Sequence, residues 1–121
     1  MEVIEKRREL RRRVIDTASR WVTGVHYKVT AVLIGSYARG DFNLWSDVDL
    51  LVVSSEFEGG PVERLKKLQI PVGFQVIPLT TEEFNRLLAR GDRLALEALN
   101  SGVVLRDDLK ILRRGGEALQ G

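Results

Sequence analysis

A short apolar strand that ends in Gly35-Ser36-Tyr37-Ala38-Arg39-Gly40, followed after a loop by Ser46-Asp47-Val48-Asp49 and then Leu50-Leu51-Val52-Val53, constrains this chain more than any other feature. A strand that stops at Gly-Ser with a helix beginning beside it leaves backbone N–H groups and a hydroxyl facing one concavity, which is an anion site. Gly35 lets the backbone come close to a phosphate, Ser36 supplies an oxygen that can cap the helix or bind a phosphate oxygen, Gly40 lets the chain turn away, and Arg39 adds a charged clamp. Asp47 and Asp49 lie two apart at the start of a strand, so they project from one face, about 6.6 Å apart along the chain. Two unpaired acids beside an apolar core repel each other and cost desolvation; a bound cation removes both penalties. Each half alone is weak, since many strand-to-helix turns hold a Gly-Ser pair and Ser46-Asp47 also reads as an ordinary turn. Together they join a phosphate turn to a metal-binding pair, and point to nucleotide chemistry.

The periodicity around this motif predicts an alternation of helices and strands. A first helix runs from about Val3 to Thr23, with Leu10, Val14, Ala18, Trp21 and Val22 on its apolar stripe. A strand over Lys28 to Ile34 follows, then a short helix that Ser36 can cap, then a strand over Val48 to Val53. Glu58-Gly59-Gly60-Pro61 breaks the chain, and Pro61 suits the first turn of a helix continued by Val62 to Leu68. Gly73 to Ile77 reads as a third strand that Pro78 ends, because proline cannot donate to a central ladder. Thr80-Thr81-Glu82-Glu83 forms a capping box, and Asp92 caps a further helix that stops at Asn100-Ser101-Gly102. Val103-Val104-Leu105 is a short edge strand and Asp107 to Arg114 a last helical piece. The sum is an α/β (α+β) fold, a small mixed sheet flanked by helices.

Length supports one core: 121 residues with 44% hydrophobic and 30% charged side chains make a single domain over residues 1–114, with 115–121 as a mobile tail. No apolar run reaches the roughly 20 residues of a membrane span, and the first residues lack the apolar centre of a signal peptide, so the expectation is a cytoplasmic protein with no membrane role. The lack of cysteine and the single histidine, His26, argue against a zinc centre, and any metal should be a hard cation on oxygen ligands. The net charge of +2 is too slight to require nucleic acid. The local run Lys6-Arg7-Arg8 with Arg11-Arg12-Arg13 reads first as a solvated helix face, with Glu5 and Glu9 as helical neighbours, and only second as an RNA-binding one. His26 reads as a surface residue and Trp21 as core; Tyr37 and Trp45 flank the motif and either pack the loop or stack on a base.

Gly35-Ser36, ten intervening residues and Asp47-Val48-Asp49 before an apolar strand resemble the signature of the DNA polymerase beta-type nucleotidyltransferase superfamily, and in length the chain is similar to its minimal members. The resemblance implies a nucleotidyltransferase-like core in which Gly35 and Ser36 hold the triphosphate of a nucleotide, ATP first, with Arg39 beside them as the clamp read from the residues. Asp47 and Asp49 would be the catalytic residues and the ligands of Mg²⁺. In the family two ions work together, about 3.5–4 Å apart, one escorting the phosphates and the other activating a hydroxyl. A nucleoside monophosphate passes to that hydroxyl and pyrophosphate leaves. Minimal members are commonly paired with a small helical HEPN-domain protein, and some act as antitoxins that attach AMP to it, so the resemblance implies a protein acceptor in a toxin–antitoxin context. An oligomer is compatible with this and nucleic acid is not favoured.

One departure matters. The family completes its second metal site with a third carboxylate on a neighbouring strand, and in Val72-Gly73-Phe74-Gln75-Val76-Ile77 that position falls on Gln75. An amide oxygen can ligate Mg²⁺ but brings no charge and no base, so nucleotide binding should survive better than turnover. Glu83 is better explained by the capping box, and Glu56 and Glu58 lie in a loop. Two readings therefore stand: a transferase, and a catalytically impaired module that binds a nucleotide or a partner.

Overall fold

The computed structural model describes residues 2–112. The tail expected over 115–121 and Arg113-Arg114 at the end of the last expected helix lie outside the described residues. Nine elements follow in order: α1 (Glu2–Thr23), β1 (Thr30–Ile34), α2 (Gly35–Arg39), β2 (Val48–Val53), α3 (Pro61–Lys66), β3 (Phe74–Leu79), α4 (Thr81–Ala89), α5 (Arg93–Asn100) and β4 (Val103–Asp107). They build a four-stranded sheet of order β3-β2-β1-β4. β1 pairs antiparallel with β2 and β4, while β2 and β3 run parallel, so the sheet is mixed as the sequence predicts.

Helices cover both faces, which is why the central strands are apolar throughout rather than alternating. Ala31, Leu33, Leu50 and Val52 face α1, packing with Ala18 and Val22. Val32, Ile34, Leu51 and Val53 face α4 and α5, packing with Phe84, Ala95 and Ala98. Leu33, Leu50 and Leu51 are fully buried, each worth roughly 1.5–3 kcal/mol relative to an exposed position. The parity of β2 then decides the site: its odd positions belong to the α4/α5 face, so Asp49 lies at the end of the row that Leu51 and Val53 continue inward.

Four sequence expectations need correction. β1 begins at Thr30, not Lys28, because β4 pairs only from that residue on. α2 begins at Gly35 with Ile34 as its cap residue and no side-chain cap, so Ser36 sits inside the first turn rather than ahead of it. β3 runs through Pro78 to Leu79, since β3 is an edge strand and its missing N–H interrupts no second ladder. The residues after Asp107 form a turn. Asp107 itself is the last residue of β4, and its carboxylate accepts from the Thr30 hydroxyl and from the N–H groups of Ile111 and Leu112. Lys110, at φ 55°, would break a helix there. Gly102 is required in front of β4: a Cβ would collide with the Val32 side chain and come within 2.8 Å of the Ala98 carbonyl oxygen.

The capping box of α4 is complete: Thr80 Oγ1 accepts from the Glu83 N–H at 3.1 Å and Glu83 Oε1 accepts from the Thr80 N–H at 2.9 Å. The same carboxylate takes both guanidinium nitrogens of Arg64, which also donates to the Gly59 and Pro78 carbonyls, so α3 is tied to the start of α4. The Arg64 hydrogen bonds, and then the Thr80 N–H, hold the Glu83 carboxyl at about 2 against an ordinary 4.5. A lowered carboxyl contributes stability in full above its unfolded value and loses it as the pH falls. Glu83→Gln is therefore expected to lower the melting temperature at pH 7 by roughly 4 °C, the effect of losing about 1 kcal/mol of cap and ion pair. The difference from the native chain should shrink between pH 4.5 and about 2, which thermal melts followed by circular dichroism across that range would check.

Candidate functional site

β1 ends with Ile34 opposite Asp49 of β2, and the chain turns at once into α2. Gly35 carries φ 76°, a left-handed conformation that favours glycine. Space enforces the same residue: a Cβ on Gly35 would lie 2.6 Å from Asp49 Oδ2. The Asp49 carboxylate thus rests against bare backbone at the head of this turn. At the other end of α2, Gly40 and Asp41 donate to the Ser36 carbonyl, and Arg11 of α1 donates to the Tyr37 and Ala38 carbonyls at 2.7 and 2.8 Å. These partners satisfy the last carbonyls of the helix and fix its direction.

Asp47 precedes β2 and is exposed; Asp49 is half-buried. Burial first, then the charges of Asp47 and Glu97, push the Asp49 carboxyl above its ordinary 3.8, and Arg39 pulls it part of the way back. Gln75 is the Cα partner of Asp49 across the parallel β2–β3 pair, so the two share a face of the sheet, and Gln75 is exposed there. Arg39 donates to Asp41 Oδ2 and to Glu97 Oε2, both at 3.2 Å. Gly35, Ser36, Arg39, Asp47, Asp49 and Gln75 therefore gather at one end of the sheet. Glu56 and Glu58 follow the opposite end of β2, and Glu83 is occupied by its cap.

Sequence reasoning missed Glu97. Its Oε2 accepts from the Gly35 N–H at 2.7 Å as well as from Arg39, which places a carboxylate against the turn from α5. The signal was present as the single charge between Leu94 and Leu99 on an otherwise apolar helix, but nothing local to α5 says which strand end it will meet. Tyr37 is buried and stacked on Phe42, with ring centroids 4.1 Å apart, so it packs the loop. Trp45 and Leu44 stand out at 90% and 83% exposure, in a loop where the Asn43 side chain accepts from the Trp45 N–H. Trp21 packs against the core and donates to the Gln69 carbonyl, and His26 is exposed.

The donor set is hard oxygen throughout, which suits Mg²⁺. Among the described residues no three His, Cys, Asp or Glu side chains converge as a ready metal cage. Two carboxylates without a third are what a magnesium ion needs when substrate phosphates and water supply the remaining ligands. The residues present therefore fit a metal that arrives with a phosphate better than one held by protein alone.

The sequence matches the nucleotidyltransferase domain over residues 7–109, a span that contains the turn, both aspartates and Glu97. The chain belongs to the nucleotidyltransferase domain family. Transfer of a nucleotidyl group is the family's general activity, and the chain is a transferase by that membership. The fold is similar to the crystal structure of a candidate nucleotidyltransferase from Sulfolobus solfataricus, with a TM-score of 0.63 and 22% identity over 86% of this chain and 89% of that one. No curated protein matches the sequence. Among the described residues no helix is long and apolar enough to cross a membrane.

Two outcomes follow for this nucleotidyltransferase-domain protein. Asp49→Asn removes a charge that the fold holds against its own neighbours, so in metal-free buffer at pH 7 it should raise the melting temperature, by about 2 °C. A raised carboxyl costs stability only once it ionises, so the gain should vanish below the ordinary 3.8, where both chains are neutral at this position. Gly35→Ala should lower the melting temperature by roughly 5 °C or more, since it strains the backbone and drives Asp49 aside.

Proposed function

We propose that this protein binds a nucleoside triphosphate with Mg²⁺ and transfers its nucleoside monophosphate to a hydroxyl on a partner protein. The observation that carries the reading is the seating of Asp49 against the bare backbone of Gly35, with Asp47 beside it: a metal-binding pair within contact range of a turn that presents backbone and hydroxyl donors to phosphate. ATP is the triphosphate we favour. Magnesium held by Asp47 and Asp49 would neutralise phosphate charge and lower the pKa of the attacking hydroxyl. Gly35 and Ser36 bind and orient the phosphates, and Arg39 adds a guanidinium once it leaves its carboxylate partners. The acceptor oxygen forms a bond to the α-phosphorus, the α–β phosphoanhydride breaks, pyrophosphate leaves and the hydroxyl proton goes to solvent.

The partner we infer is a small helical protein of the HEPN type, in a toxin–antitoxin setting, with the cytoplasm as its compartment. Support comes from the likeness of the GSYARG and SDVDLLVV segments to minimal nucleotidyltransferases, and from the exposed Leu44 and Trp45 two to three residues before Asp47. A second reading rests on one observation: Gln75, not an acid, stands in register with Asp49. It makes the protein a nucleotide- or partner-binding module with impaired turnover.

Incubation with ATP labelled at the α-phosphate, Mg²⁺ and a HEPN-type partner encoded beside it separates the two. Transfer predicts label on the partner, lost at least a hundredfold in Asp49→Asn, because removing a metal ligand removes charge stabilisation at the reacting phosphate. The impaired module predicts ATP binding by calorimetry without label, and about tenfold or more gain of transfer in Gln75→Asp. No binding and no label, beside an active control transferase, would reject both.

A further inference from the structure

Two donors at the turn, the Gly35 N–H and the Arg39 guanidinium, are both taken by one oxygen atom, Glu97 Oε2, at 2.7 and 3.2 Å. A carboxylate oxygen with two donors is chemically close to a phosphate oxygen in the same place. Glu97 also adds a third carboxylate to the end of the sheet that carries Asp47 and Asp49. Its charge and that of Asp47 both push the Asp49 carboxyl upward, and Arg39 pulls it part of the way back. Its backbone cannot move away, because α5 is anchored by Ala95 and Ala98 in the core. Its side chain can: Arg93 lies one helical turn earlier and lines, with Arg39, Glu97, Asn100 and Ser101, an open cavity of about 470 Å³.

We infer that Glu97 is a resident anion that holds the donors of the Gly35 turn and must be displaced by the incoming triphosphate. In the closed arrangement Glu97 holds the Gly35 N–H and Arg39. In the loaded one, phosphate oxygens take both donors and Glu97 swings to Arg93 across the cavity. No covalent bond changes; the exchange is one of hydrogen-bond partners. The effect is selective, since a ligand must bring enough negative charge to replace a carboxylate at two donors. A triphosphate does so and a nucleoside or a monophosphate does so poorly. This inference rests on the nucleotide reading above and deepens it by assigning a competitor within the chain.

Isothermal titration calorimetry of the native chain, Glu97→Gln and Glu97→Ala with sodium tripolyphosphate and with MgATP tests it. Both variants should bind both ligands about tenfold tighter, as expected when a charged competitor for two hydrogen bonds is removed. Melts of each variant check that it is folded, and the native chain gives a second measurement that needs no variant. The Gly35 amide resonance of the ¹⁵N-labelled native protein should move on addition of tripolyphosphate, and that of Glu97→Gln should start displaced and move less. Equal affinities for MgATP in all three chains would overturn the latch and leave the nucleotide reading intact. Weaker binding in Glu97→Gln would overturn it in favour of a positioning role, and a loss seen only with Mg²⁺ in favour of metal ligation. Absence of MgATP and tripolyphosphate binding in every chain would overturn the latch and the nucleotide reading together.

Discussion

The close approach of the Asp49 carboxylate to the Cα of Gly35 is the constraint on which the site depends. It exists because β1 and β2 are paired so that Ile34 lies opposite Asp49, and because the residue after Ile34 has no side chain. A shift of one residue in that pairing would turn Asp49 toward α1 and into the apolar cluster around Leu33 and Leu50. Register is therefore a functional property here. It is held by two apolar faces that must both be buried, and by the antiparallel pairing of β1 with β4 on its other side.

That sheet carries an electrostatic cost at one end. Asp47, Asp49 and Glu97 bring three negative charges to the same end of the molecule, with Arg39 as the opposing charge, and burial adds to the penalty on Asp49. A core designed only for stability would not place them there. In the function we propose, a cation would offset the charge of the aspartates and an anion would replace Glu97 at the donors it holds. A magnesium-bound polyphosphate, the ligand of that proposal, would meet both. The ion pair of Arg64 with Glu83 is different in kind: it closes a capping box, ties α3 to α4 and has no part in the site.

Much of this was legible because it is written in local patterns. The capping box of α4, the Asp92 cap of α5, Pro61 at the start of α3 and the apolar run of β2 each depend on neighbours within a few residues. The expectations that failed depended on distant ones. Pro78 stays within β3 because that strand is at an edge, which its own residues do not state. Asp107 ends β4 and organises a turn because Thr30, 77 positions away, offers it a hydroxyl. The family match over residues 7–109 agrees with the motif, since Gly-Ser, the two aspartates and the strand after them are contiguous enough to be read as letters.

By itself, then, the order of residues determined most of the helices and strands, the succession of a Gly-Ser turn and two acids, and the family; each follows from spacing along the chain, where the periods of helix and strand act directly. Only the tertiary structure decided that Gln75 stands level with Asp49 and that Glu97, 62 residues from Gly35, holds its N–H. Strand order, parallel register and the docking of α5 are set by burial of whole faces against one another. That is a collective property of the core, and no single segment carries it.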